Sequence, residues 1–262
     1  MRIDDTISRD AVFVSLDLEG AENKTNSCTL DTKPNVRQIG IATLDTRDIQ
    51  RSLPSADVGG LVFFEIIGSK HRDRQCDLTP ARVYQEDVAA TIVRGINIRD
   101  GLDGVGSNAL RNIILVGYNI GSDLSFLRRL GLDVASIAPV LFVLETHSLS
   151  RRVSPPYSPT LPVTPGQDFS LAGLLARFGF RPAPSGFHSA VNDAMYILIA
   201  LIYLTIESGE KRRQQLNPAE LGGFTKLEKL VPWWNGSAEQ AFRLSAGLWG
   251  VASRVLHHQA RG

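Results

Sequence analysis

Five residues in this chain, Asp17, Glu19, Asp123, His188 and Asp193, are of types that could hold a divalent cation or move a proton. Asp17 and Glu19 close the run AVFVSLDLEG. On a strand, residues two apart share a face, so these carboxylates point together while Leu16 and Leu18 point away. Side by side at the end of a buried strand they repel. A divalent cation between them relieves that repulsion, and oxygen ligands of this kind suit magnesium or manganese. Farther along, FHSAVNDAMYILIALIYL opens with His188 and places Asp193 about a turn later. A regular helix would turn residues five apart about 140° away from each other. They therefore meet only if His188 precedes the helix and Asp193 lies in its first turns. Gly186 suits that entry. A histidine there titrates near working pH and could move a proton. Asp123, in VGYNIGSDLSFL, opens a third acidic segment.

Each segment also has an ordinary reading. D-x-E can be a strand end running into an acidic loop, and short motifs match by chance often. Acids are common in the first turn of a helix. Ser122 or Asp123 could simply cap the helix that Leu124, Phe126, Leu127 and Leu130 mark out. What matters is the set.

The elements that must position these residues are legible in outline. Ala11–Leu16, Val36–Leu44 and Leu61–Ile67 read as three strands, an antiparallel meander. Val83, Val88, Ile92, Val93 and Ile96 predict a helix over Pro80–Asp100. Asn112–Val116 and Leu141–Leu144 are the fourth and fifth strands, and Phe169–Phe180 a short amphipathic helix. Arg151–Gln167 holds five prolines and reads as a long loop. The helix after His188 is apolar on nearly every face, as befits the middle of a domain. Asn217–Leu230 and Ala238–Leu256 read as further helices, with Trp233 and Trp234 in the junction between them. The expected fold is α/β, a central mixed five-stranded sheet flanked by helices, with residues 1–208 as the main domain and 209–262 as a helical extension packed on it.

Bulk properties narrow the function. The chain has 262 residues, 43% hydrophobic and 21% charged, with a net charge of +1. This composition can bury a sizeable core. A protein that binds polyanions through massed basic contacts is not indicated. Cys28 and Cys76 are the only cysteines, too few for a disulfide framework or zinc site. MRIDDTISRD has no apolar stretch for a signal peptide. An intracellular place, cytoplasmic or nuclear, is expected, with no membrane span.

Taken together, Asp17 and Glu19 in LDLEG, Asp123 in VGYNIGSDLSFL, and His188 with Asp193 in FHSAVNDA resemble the DEDD superfamily of 3′–5′ exonucleases on a ribonuclease H-like fold. Histidine five before the last aspartate marks the histidine (DEDDh) subclass. The likeness spans about residues 11–206. VRQIGIATLDTRDI and HSAVNDAMYILIAL are similar to a fungal branch that includes an exonuclease working with an Argonaute in quelling. The resemblance implies a two-metal phosphodiester hydrolysis with Mg2+ or Mn2+, acting on single-stranded RNA or DNA with a free 3′ end and releasing nucleoside monophosphates. Asp17 would bridge both ions, Glu19 and Asp193 would complete one site, Asp123 would support the other, and His188 would take the proton from the attacking water. Two departures stand out: Tyr118 replaces a common histidine, and Glu145-Thr146 a common Asp-Thr. A competing reading is a nuclease fold used as an adaptor in RNA silencing, docking to an Argonaute-like partner. The sequence leaves RNA or DNA, and oligomeric state, open.

Overall fold

The computed structural model describes residues 10–21, 35–47, 60–66, 81–100, 109–153, 170–182 and 186–212. Five apolar runs form the body of one sheet: β1 (Ala11–Ala21), β2 (Asn35–Asp45), β3 (Gly60–Ile66), β5 (Asn112–Gly117) and β6 (Val140–Glu145). A sixth, three-residue strand, β4 (Ala81–Val83), joins the edge, giving the order β4-β3-β2-β1-β5-β6. β1, β2 and β3 are antiparallel to one another, whereas β5 pairs parallel with β1, and β6 with β5. This mixed sheet flanked by helices is the expected α/β architecture, with one strand more than expected.

β4 also corrects the reading of residues 80–100 as one helix. Ala81–Val83 pairs parallel with β3, a turn of 3-10 helix follows at Gln85–Asp87, and the α-helix, α1, runs only over Val88–Ile96. The helical apolar spacing is real from Val88 onward, where Val88, Ile92 and Ile96 are all buried. Before it, Pro80 cannot donate to a ladder but is compatible with the start of an edge strand. The remaining helices are α2 (Gly121–Arg129), α3 (Val134–Ile137), α4 (Thr146–Val153), α5 (Leu171–Arg177) and α6 (Ala190–Arg212). α4 was not expected, and it makes Arg151–Val153 helical rather than loop. The Pro-rich stretch after it and the expected helices at 217–230 and 238–256 lie outside the described residues.

Strand alternation supplies two apolar faces. Val12, Val14, Leu16, Ile39, Ile41, Ile113 and Leu115 pack toward α1 and α2. On the other face Ala11, Leu44, Ile114 and Val116 meet Ala194, Ile197, Leu198 and Leu201 of α6. The opposite side of α6 is covered as well, since Tyr196, Ile199, Tyr203 and Leu204 pack with Leu174 and Leu175 of α5. A helix clothed on both sides must be apolar all round. By length and composition Ala190–Ser208 would suffice to cross a membrane, but two thirds of it is buried inside the fold.

At the end of the sheet where β1 begins and β2 ends, Arg111 makes a two-pronged pair with Asp45 at 2.7 and 2.9 Å. Arg47 bonds Asp100 at 2.6 and 2.8 Å and Asp10 at 2.8 Å. These bonds tie the strand ends together far from the acidic segments.

Candidate active site

β1 delivers Asp17 and Glu19 at its C-terminal half, where it still pairs with β2 but has passed the end of its register with β5 at Ser15. Asp17 stands opposite Gly40 of β2. A Cβ on Gly40 would run into the backbone of Ala190 and Val191, so glycine is what lets the start of α6 press onto the sheet here. Gln38, buried, finishes the docking by accepting a hydrogen bond from Ala190 N at 3.2 Å. Asp193 is thereby carried, on the first turn of α6, to the side of Asp17.

His188 precedes α6, as the five-residue spacing requires. It takes the left-handed region, φ 61°, an uncommon conformation outside glycine. Its N–H donates to Asp193 Oδ2 at 2.8 Å. This bond bends the entering chain back over the helix, so the exposed imidazole and the buried carboxylate face one place. Ligand atoms of Glu19, His188 and Asp193 all lie within 4.8 Å of one another, a grouping that could hold a metal ion.

Asp123 does not cap α2: the cap position is Ile120, with no side-chain cap bond. The Asp123 carboxylate reaches across to β1, where Oδ1 accepts from Leu18 N at 3.3 Å. A local rule predicts capping, and a partner 105 residues away takes precedence. Asp123 thus joins the same group. Burial pushes its carboxyl up to about 7, the Glu19 charge adds to this, and the hydrogen bonds from Leu18 and its own backbone only partly oppose it. Asp17 is raised well above the ordinary carboxyl range by burial first, then by the charges of Asp123, Asp193 and Glu19. The structure therefore brings all five residues together.

Such a cluster is costly as bare charge, and a divalent cation inverts that cost. All four acids offer hard oxygen donors, the set that magnesium and manganese prefer. The residues present fit such ions.

Two further residues stand at the ends of the neighbouring strands β5 and β6. Tyr118 follows β5, its ring 5.3 Å from that of His147, and burial together with the Glu145 charge pushes its phenol up to about 12. Glu145, at the end of β6, accepts from Asn119 N, His147 N and Ser148 N. Its part in the site was not read from the sequence. The available signal was an acid directly before Thr-His-Ser, the pattern of a helix start.

Residues 75–204 match the family model described as DEDDh_C, the DNA polymerase III subunit epsilon-like, C-terminal domain. The match spans just under half of the chain. It takes in Asp123, His188 and Asp193, whereas Asp17 and Glu19 lie ahead of it and reach the site through the β1 pairing. Among solved structures, the chain is similar to one described as 3′-end specific recognition of histone mRNA stem-loop by 3′-exonuclease, at 11% identity and a TM-score of 0.43, covering 75% of this chain and 81% of that one. It is also similar to the nuclease domain of 3′hExo, a DEDDh family member, bound to rAMP, at 13% identity and a TM-score of 0.43, covering 75% and 92%. No curated protein matches the chain.

Proposed function

We propose that this protein is a metal-dependent 3′–5′ exonuclease that hydrolyses single-stranded RNA or DNA and releases nucleoside monophosphates. The observation that carries the reading is the convergence of Asp17 and Glu19 from β1, Asp123 from α2 and Asp193 from α6, with His188 at their edge. The four carboxylates would hold two divalent cations, Mg2+ or Mn2+. When bound, such ions polarise the phosphoryl oxygen and stabilise the entering and leaving oxygens of an in-line displacement. His188 is exposed and borders the carboxylates, so it can accept the proton of the attacking water and pass it to solvent. The left-handed backbone at His188 and the bond of its N–H to Asp193 hold the residue beside that carboxylate. Within this class, the likeness of VRQIGIATLDTRDI and HSAVNDAMYILIAL supports the fungal branch, and with it an Argonaute-like partner.

The test uses 5′-labelled single-stranded RNA and DNA with Mg2+ or Mn2+, comparing wild type with Asp17→Ala. A ladder that shortens from the 3′ end, abolished by chelator and by the substitution, is the expected result. A 3′-blocked substrate should survive, and its internal cleavage would point to an endonuclease instead. A fully active Asp17→Ala protein would end the proposal.

A further inference from the structure

Glu145 stands at the exit of β6, and its carboxylate is used in two directions. Oε2 accepts from Ser148 N at 2.9 Å and Ser148 Oγ at 2.8 Å, and Oε1 from His147 N at 3.1 Å, which together cap α4. The same Oε1 also accepts from Asn119 N at 2.8 Å, on the exit of the neighbouring strand β5. That fourth bond has nothing to do with capping. Burial would raise the Glu145 carboxyl, but the bonds from Ser148, Asn119 and His147 prevail and hold it below its ordinary range, so it remains an anion.

Asn119 is the residue at which β5 turns into α2, in the left-handed region with φ 58°. Its carbonyl accepts from Ser122 N at 3.1 Å, and its Nδ2 donates to Ser122 Oγ at 3.3 Å. The turn is tight: a Cβ on Gly117 would strike the side chain of Ile120. One residue past Ser122 stands Asp123, whose Oδ1 meets Leu18 N between Asp17 and Glu19. Hydrogen bonds thus run from β6 to Ser122 in the turn and from Asp123 to the acidic end of β1, joined by the peptide link between Ser122 and Asp123.

We infer that Glu145 is a positioning residue, which anchors the Asn119 turn and through it sets Asp123 against β1 in the geometry that metal binding needs. Its effect on turnover rests on the exonuclease reading, but its effect on the turn does not. The longer side chain matters. A carboxylate set back by one methylene, as in Glu145→Asp, cannot serve both α4 and the Asn119 turn, and the local bonds to Ser148 and His147 win by proximity.

The experiment takes the full chain as Glu145→Ala, Glu145→Asp and Glu145→Gln, with Ser148→Ala as the control that perturbs only the capping of α4. Three quantities are read: amide hydrogen exchange over residues 117–124 without metal, Mn2+ affinity by calorimetry, and kcat and KM on a labelled oligonucleotide. Glu145→Ala and Glu145→Asp should speed exchange in the turn, weaken Mn2+ binding by roughly 10- to 100-fold, and lower kcat similarly with KM little changed, as removal of residues that orient metal ligands generally does. Glu145→Gln, which keeps an acceptor oxygen, should recover part of each. Ser148→Ala should match wild type. Wild-type exchange and Mn2+ affinity in Glu145→Asp would overturn the inference, as would an equal loss in Ser148→Ala. Should Glu145→Ala fail to fold, the aspartate and glutamine variants decide. If wild type cleaves nothing, the exonuclease reading fails, while exchange still decides whether Glu145 holds the turn.

Discussion

Neutralising Asp123 should stabilise the metal-free protein, and only above acidic pH. In the fold this carboxyl is pushed up to about 7, against an ordinary value of 3.8, mainly by burial. The unfolded chain therefore ionises first. As pH rises, the unfolded state sheds its proton near 4 while the fold resists until about 7, so the fold loses stability across that window. Below the window there is no penalty, and above it the penalty is complete. A rise of about three units corresponds to roughly 4 kcal/mol at 1.36 kcal/mol per unit. The carboxyl is only partly buried, and solvent screening should reduce this to roughly 2–3 kcal/mol. Asp123→Asn removes the charge but keeps an oxygen for Leu18 N. It also relieves Asp17, on which Asp123 is the largest of the neighbouring charges. Urea unfolding of both proteins in chelator, from pH 4 to pH 8.5, should show equal stability at pH 4 and a variant roughly 2–3 kcal/mol more stable at pH 8.5. Mn2+ at 100 times its Kd should then close the gap, because it stabilises the binding-competent form by about 2.7 kcal/mol. Superimposable curves across the whole range would refute the account of Asp123 as a strained, metal-awaiting acid.

Gly40→Ala should displace the start of α6 from β2, because the new methyl meets the backbone of Ala190 and Val191 rather than a side chain that could swing away. We expect a loss of roughly 1–3 kcal/mol, as for other overpacked sites, together with weaker Mn2+ binding, both measurable on one preparation by thermal unfolding and calorimetry. His188→Gly, which keeps the left-handed backbone accessible, should lower kcat by about 10²- to 10⁴-fold while leaving the Mn2+ affinity nearly unchanged. A parallel loss of affinity would make His188 a ligand alongside Glu19 and Asp193 rather than the proton acceptor.

What the sequence disclosed, and what it withheld, follows from the range of each interaction. Periodicity reports burial, so the five main strands and the apolar α6 are readable from residues in a row. The D-x-E pair is legible for the same reason, since strand geometry alone puts Asp17 and Glu19 on one face. The spacing of His188 and Asp193 gives their convergence, because a helix allows only one way for them to meet. The misses are long-range. Asp123 obeys the local preference for a helix start by position, yet its side chain bonds Leu18. Ala81–Val83 becomes a strand only because the free edge of β3 is there to receive it. Gly40 looks like any glycine within a strand until Ala190 arrives on top of it. Glu145 caps a helix that was itself not expected, and nothing within ten residues shows that the same oxygen also holds Asn119. The chemistry-bearing residue types are thus visible one by one, while the contacts that bring them to one place are made between elements. A test of function should accordingly perturb those contacts, Gly40 with Ala190 and Glu145 with Asn119, and not the acids alone: loss of activity on removing a carboxylate shows that it is needed, whereas weakened metal binding on removing a distant support shows that the fold is what places it.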